Sequence, residues 1–139
     1  MYFDRVYVIG LCRDITPYLH YLKINIGIIT SLFTSHTIII FAGDKSSNAL
    51  AQWSKEEKQL IIIPESSNGK DSNLVYGRNL LLELVFEMHK IKTNGTIDKA
   101  VVVIIDLDEV NEFQFDKAVL EKTLQQHDQW DAVTFNRKW

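Results

Sequence analysis

The stretch that decides the fold is VVVIIDLDEV, residues 101–110. Five apolar residues run without polar alternation, which is the pattern of a strand covered on both faces and predicts the central strand of a sheet. Asp106, Asp108 and Glu109 follow at once. Side chains alternate along an extended segment, so Asp106 and Asp108 would point one way and Leu107 back into the core. Two carboxylates a few ångströms apart repel each other unless a cation lies between them. A hard divalent ion, Mn²⁺ or Mg²⁺, suits an all-oxygen donor set. Two protein carboxylates leave coordination positions open for the oxygens of a diphosphate.

Outward from that strand, short apolar runs recur. RVYVI (5–9), TIIIF (37–41), LIII (60–63) and AVTF (132–135) read as four further strands. Between them lie helical patterns. Pro17 opens the first, in which Leu19, Leu22, Ile26, Ile29 and Phe33 recur at steps of three and four and make one apolar face. A shorter helix is predicted over 48–57. A longer one is predicted over 74–91, with Leu81, Leu82, Val85, Phe86 and Met88 toward the core. The fourth surrounds Phe115, Val119, Leu120 and Leu124. SSNGKDSN (66–73) has loop composition, and Asn94-Gly95 reads as a turn. Strands alternating with helices imply an α/β domain of three layers around a mainly parallel sheet, with residues 1–139 as one unit.

The chain has 139 residues, 46% of them apolar and 24% charged, and a net charge of −3. That composition is ordinary for a folded domain and argues against disorder. The mildly acidic balance gives no electrostatic reason to expect nucleic acid or an anionic membrane as partner. INIGIITSLF is too short to span a bilayer, and the start of the chain lacks the pattern of a secretory signal. A single cysteine, Cys12, excludes an internal disulfide and fits a reducing compartment, so a cytoplasmic protein is expected.

In an open parallel sheet, ligands bind beyond the carboxyl ends of the strands. Asp106, Asp108 and Glu109 belong to that edge, together with Asp44 after the second strand and Arg13-Asp14 after the first. Taken in order, Arg13 in GLCRD, Asp44 in IIIFAGDKSS, Arg78-Asn79 in YGRN, DLDEVN (106–111) and WDAVTFNRKW (130–139) resemble the motif series of a family. The resemblance is to GT-A glycosyltransferases with a Rossmann-like donor-binding half, and more closely to small glycosyltransferases of large DNA viruses and microbes. It covers almost the whole chain.

The resemblance implies that the chain binds a nucleoside-diphosphate sugar, UDP by family analogy, and passes the sugar to a glycan or other acceptor. Asp108 would ligate the Mn²⁺ or Mg²⁺. Asp106 would touch the metal or the ribose, and Asp44 the ribose or base. Arg13 and Arg78 would lie near the nucleotide. If the protein is viral, its compartment would be the host cytoplasm. Ala42 stands where such proteins often carry an acid, and Lys45-Ser46-Ser47-Asn48 replaces their Ser/Thr-Asp element. The acceptor half of a GT-A domain normally follows the Trp-Asp stretch and supplies the catalytic base. A chain ending at Trp139 is therefore expected to be a piece of a longer protein or a donor-binding module, or to meet a second copy at a sheet edge there.

Other readings compete. An Asp-x-Asp can be a plain solvated strand end. The chain could be a module that binds metal-nucleotide and transfers nothing. The same stretch matches the nucleophile strand of haloacid-dehalogenase-like phosphatases, but too few residues follow Asp108 for that family's later motifs. IGLCRD has one glycine, which excludes a dinucleotide-binding first turn. His20, His36, His89 and His127 show no metal-ligand spacing and read as surface or helix-flank residues. Trp53 reads as core, although it could stack on a base or sugar, and so could Trp139. Lys55 to Lys58 read as a solvated helix face.

Overall fold

The computed structural model of the chain describes residues 3–12, 14–64, 74–93, 99–106 and 114–133. For Cys12, Asp44, Thr93, Asp106 and residues 74–76 it describes the backbone alone. Four strands, β1 (Arg5–Cys12), β2 (Ser35–Ala42), β3 (Leu60–Pro64) and β4 (Ala100–Asp106), form one all-parallel sheet in the order β3-β2-β1-β4. The helices are α1 (Leu19–Thr30), α2 (Ser47–Glu56), α3 (Leu74–Thr93) and α4 (Lys117–Gln125). Parallel neighbours need crossover connections, and the helices supply them.

The strands alternate between two cores. Val6 and Val8 of β1 and Ile38 and Ile40 of β2 face one side, where they meet Leu22, Ile26 and Ile29 of α1 and Leu50 and Trp53 of α2, with Leu120 of α4 packed against them. Tyr7, Ile9 and Leu11 of β1 and Ile39 and Phe41 of β2 face the other side, against Leu81 and Val85 of α3. This is the three-layer α/β architecture expected, with a Rossmann-like parallel sheet covered on both faces. Trp53 is core, as its composition context suggested.

Three expectations need correction. VVVII is expected to be the central strand, but among the described residues β1 and β2 hold the centre. Among the described residues β4 pairs only with β1. Val102 and Ile104, on the α3 side of β4, are 40% and 52% exposed. A run of apolar residues signals a strand but does not rank strands by depth.

The second correction concerns AVTF (132–135). Ala132 and Val133 are irregular rather than strand, and the other two residues lie outside the described residues. The third is Phe86, which is 69% exposed. The buried stripe of α3 runs Gly77, Leu81, Val85 at steps of four, and Phe86 lies one residue off it, about 100° round the helix. Pro17 opens a 3-10 turn, Thr16–Tyr18, and the α-helix proper begins at Leu19.

Two polar ties fix the helical layer on the α1 side. Asn25 is fully buried in α1, and its Oδ1 accepts the backbone N–H of Phe115 at 2.8 Å. Lys23 of α1 and Glu56 of α2 meet at 3.0 Å. That pair is solvated, so its contribution is of the order of ~0.5 kcal/mol. At its start α4 is capped by Asp116, whose carboxylate accepts from the N–H groups of Ala118 and Val119. Trp130 closes the following turn by donating its Nε1–H to the Thr123 carbonyl at 2.8 Å and stacking on Phe3. Among the described residues no helix is long and apolar enough to cross a membrane.

Candidate functional site

The strand order determines where a ligand site belongs. From β1 the chain moves outward to β2 and then β3, and afterwards returns to place β4 on the other side of β1. The switch point of the sheet is therefore the crevice beyond the carboxyl ends of β1 and β4. Leu11 and Asp106 are register partners there, and Cys12 pairs with Ala42 of β2. Asp44 opens a 3-10 turn, Asp44–Ser46, directly after β2. The ends of β2 and β4 flank β1 and so stand roughly 10 Å apart, two strand spacings.

The loops at this edge are stitched together. Ser46 is fully buried, and its Oγ accepts the backbone N–H of Ile15 at 2.8 Å. Ser46 stands at the N-cap of α2 yet makes no capping bond with its side chain. Its hydroxyl instead holds the loop after β1 to the turn after β2. The Asp14 carboxylate accepts the N–H of Thr16 at 3.0 Å and fastens the same loop to the 3-10 turn that follows.

Hydrogen bonds from Thr16, with help from the Lys45 charge, hold the Asp14 carboxyl below its ordinary range. A depressed carboxylate contributes stability above its unfolded pKa and loses it as pH falls through the folded value. Asp14→Asn keeps a turn acceptor and removes the charge. Its urea midpoint should lie slightly below wild type at pH 7, and the difference should shrink as the pH drops below about 4. A gap that stays constant down to pH 3 would show that Asp14 acts here without its charge.

α3 delivers its first turns to the same edge. Gly77 lies against Leu11 and Phe41, the last inward-facing residues of β1 and β2. Arg78 follows it and is half-buried. The far end of α3 reaches the opposite edge, where His89 Nδ1 meets the Tyr7 hydroxyl at 2.9 Å and Lys92 Nζ lies 3.4 Å from Thr37 Oγ1.

Of the residues singled out in the sequence, Arg78 is described in full at the carboxyl edge. Asp44 and Asp106 have their backbones there. Arg13 and Asp108 lie outside the described residues. Among the described residues no three His, Cys, Asp or Glu side chains converge closely enough to hold a metal ion. Each histidine has its own neighbour: His20 lies against Tyr21, His36 on Glu57, His89 on Tyr7 and His127 edge-on to Phe3.

Sequence reading noted Ser46 only as part of a departure from the family pattern and passed over Asn25, yet each holds a distant backbone N–H. Serine between a strand and a helix signals a cap, and the structure uses that hydroxyl one loop away. Compared with known protein families, with characterised proteins and with solved structures, the chain matches none of them.

Proposed function

We propose that this chain is the donor-binding half of a metal-dependent, GT-A-like glycosyltransferase acting on a nucleoside-diphosphate sugar, with UDP the favoured nucleotide. The observation that carries the reading is topological. The segments bearing Asp106, Asp44 and Arg78 all reach the carboxyl edge of a parallel sheet, and Asp106 ends the strand that borders the switch point. In this reading the Asp-x-Asp would supply two carboxylates where a diphosphate enters.

In this reading Asp106 and Asp108 hold Mn²⁺ or Mg²⁺, and Asp44 takes the ribose or base. Arg13 and Arg78 add positive charge beside the phosphates. The bound cation would neutralise charge on the departing nucleoside diphosphate. The residues named here would bind and orient the donor.

The test is calorimetric titration of UDP and GDP with Mn²⁺ or with EDTA, on wild type and on Asp108→Ala. Binding of UDP should require the metal and weaken at least tenfold in Asp108→Ala. Tight metal-dependent binding without release of sugar from UDP-sugars would mark a binding module. Absence of metal-dependent nucleotide binding in wild type would sink the reading.

A further inference from the structure

At the opposite edge, below the amino ends of the strands, Arg5, Thr34, Ser35, His36, Gln59 and Lys92 line a cleft of about 260 Å³. At about 30 Å³ per water, that is room for a tetrahedral oxyanion and several waters. Three potential cations reach it from three elements: Arg5 begins β1, His36 is the second residue of β2 and Lys92 lies in the last turn of α3. In a chain of net charge −3 such a concentration is conspicuous. The hydroxyl side chains of Thr34 and Ser35 and the amide of Gln59 add neutral hydrogen-bonding groups around the same space.

Two of the acids in contact with the lining are Glu57 and Asp4. Glu57 is engaged at the rim, where its Oε1 accepts from His36 Nε2 at 3.2 Å and from the backbone N–H of Gln59 at 3.0 Å. That contact orients the His36 ring. Asp4 is exposed, and its backbone carbonyl accepts the N–H groups of Thr34 and Ser35, which shapes the cleft floor. Lys92 also suits the carboxyl end of α3 through the helix dipole. That role alone would not make anion binding depend on it.

We propose that this cleft binds a phosphate-type oxyanion, either free inorganic phosphate or the phosphoryl group of a small phosphomonoester. A planar guanidinium, an ammonium and an imidazole around one space make a set suited to a tetrahedral, multiply charged group better than to a single carboxylate. The cleft lies at the end of the sheet away from the donor site proposed above and needs no metal.

The experiment is titration of inorganic phosphate, glycerol 3-phosphate and acetate into the metal-free chain, followed by calorimetry and by the His36 ring resonances. Phosphate should bind in the millimolar range, move the His36 signals, and weaken about three- to tenfold in each of Lys92→Gln and His36→Gln. Lys92 is exposed, so its variant should stay folded. Tighter binding of glycerol 3-phosphate would assign the site to a phosphomonoester, and equal or weaker binding to the free anion. Acetate binding as strong as phosphate, or phosphate binding unchanged in Lys92→Gln, would overturn the inference. So would binding that leaves His36 unmoved but disappears in Asp108→Ala, a result that places the anion at the other edge and leaves the donor-site proposal standing.

Discussion

Gly77→Val is expected to destabilise the fold by about 3 kcal/mol, near the upper end of what overpacking a close-packed core costs. A β-carbon at Gly77 would lie 2.6 Å from Leu11 Cδ2 and 3.3 Å and 3.4 Å from two atoms of the Phe41 ring. Leu11 and Phe41 are both buried, so neither has solvent to retreat into. Alanine is the informative intermediate. It gains up to about 1 kcal/mol of helix propensity over glycine, and Leu11 can yield a little because its methyl is the end of the side chain. Gly77→Ala should therefore lose only about 1 kcal/mol net. Urea unfolding of the three proteins checks the series. An alanine variant more stable than wild type would mean that α3 does not seat this closely on β1 and β2. The position bears on function as well, because Gly77 sets how near Arg78 comes to the strand ends.

Much of the fold was legible because it rests on period and run length. β1 to β4 and all four helices fall where apolar runs and three-four spacing put them, within a few residues at their ends. Depth was less legible. VVVII is as apolar as any strand in the chain, yet it borders the described sheet, because centrality depends on which strands pair and not on what one strand contains. Phe86 shows the same limit within a helix. A cluster of apolar residues in α3 marks a face only approximately, and a shift of one residue turns a phenyl ring from the sheet to solvent.

The candidate site divides along similar lines. That a ligand site belongs at the carboxyl edge follows from the alternation of strands and helices, and topology sharpens it by putting the switch point between β1 and β4. The polar residues that hold the edge together were not legible. Ser46 and Asn25 carry no motif; each is identified by its partner, and those partners are backbone N–H groups 31 and 90 residues away. Nothing local in a sequence marks an acceptor that serves a donor so distant.

Asn25 gives the second large effect. Its Oδ1 satisfies the Phe115 N–H in a part-buried contact made from a fully buried asparagine, so removing the acceptor leaves a half-buried donor without its partner. An orphaned buried donor costs about 1–3 kcal/mol. Asn25→Leu fills similar volume with apolar atoms and should still lose about 2 kcal/mol. Asn25→Ala adds a cavity and should lose about 3 kcal/mol. Chemical denaturation distinguishes this from simple packing, since a leucine variant as stable as wild type would show that the hydrogen bond contributes little. A further consequence concerns binding. Phe115 lies two residues beyond the stretch 107–113, which carries Asp108, and the Asn25 bond anchors the chain at that point to α1. Under conditions where Asn25→Leu remains folded, its metal-dependent UDP affinity should fall by several-fold while phosphate binding at the opposite edge stays unchanged. Equal loss at both edges would point instead to a general loosening of the domain, and unchanged UDP binding would mean that the anchor at Phe115 has no bearing on the acids that precede it.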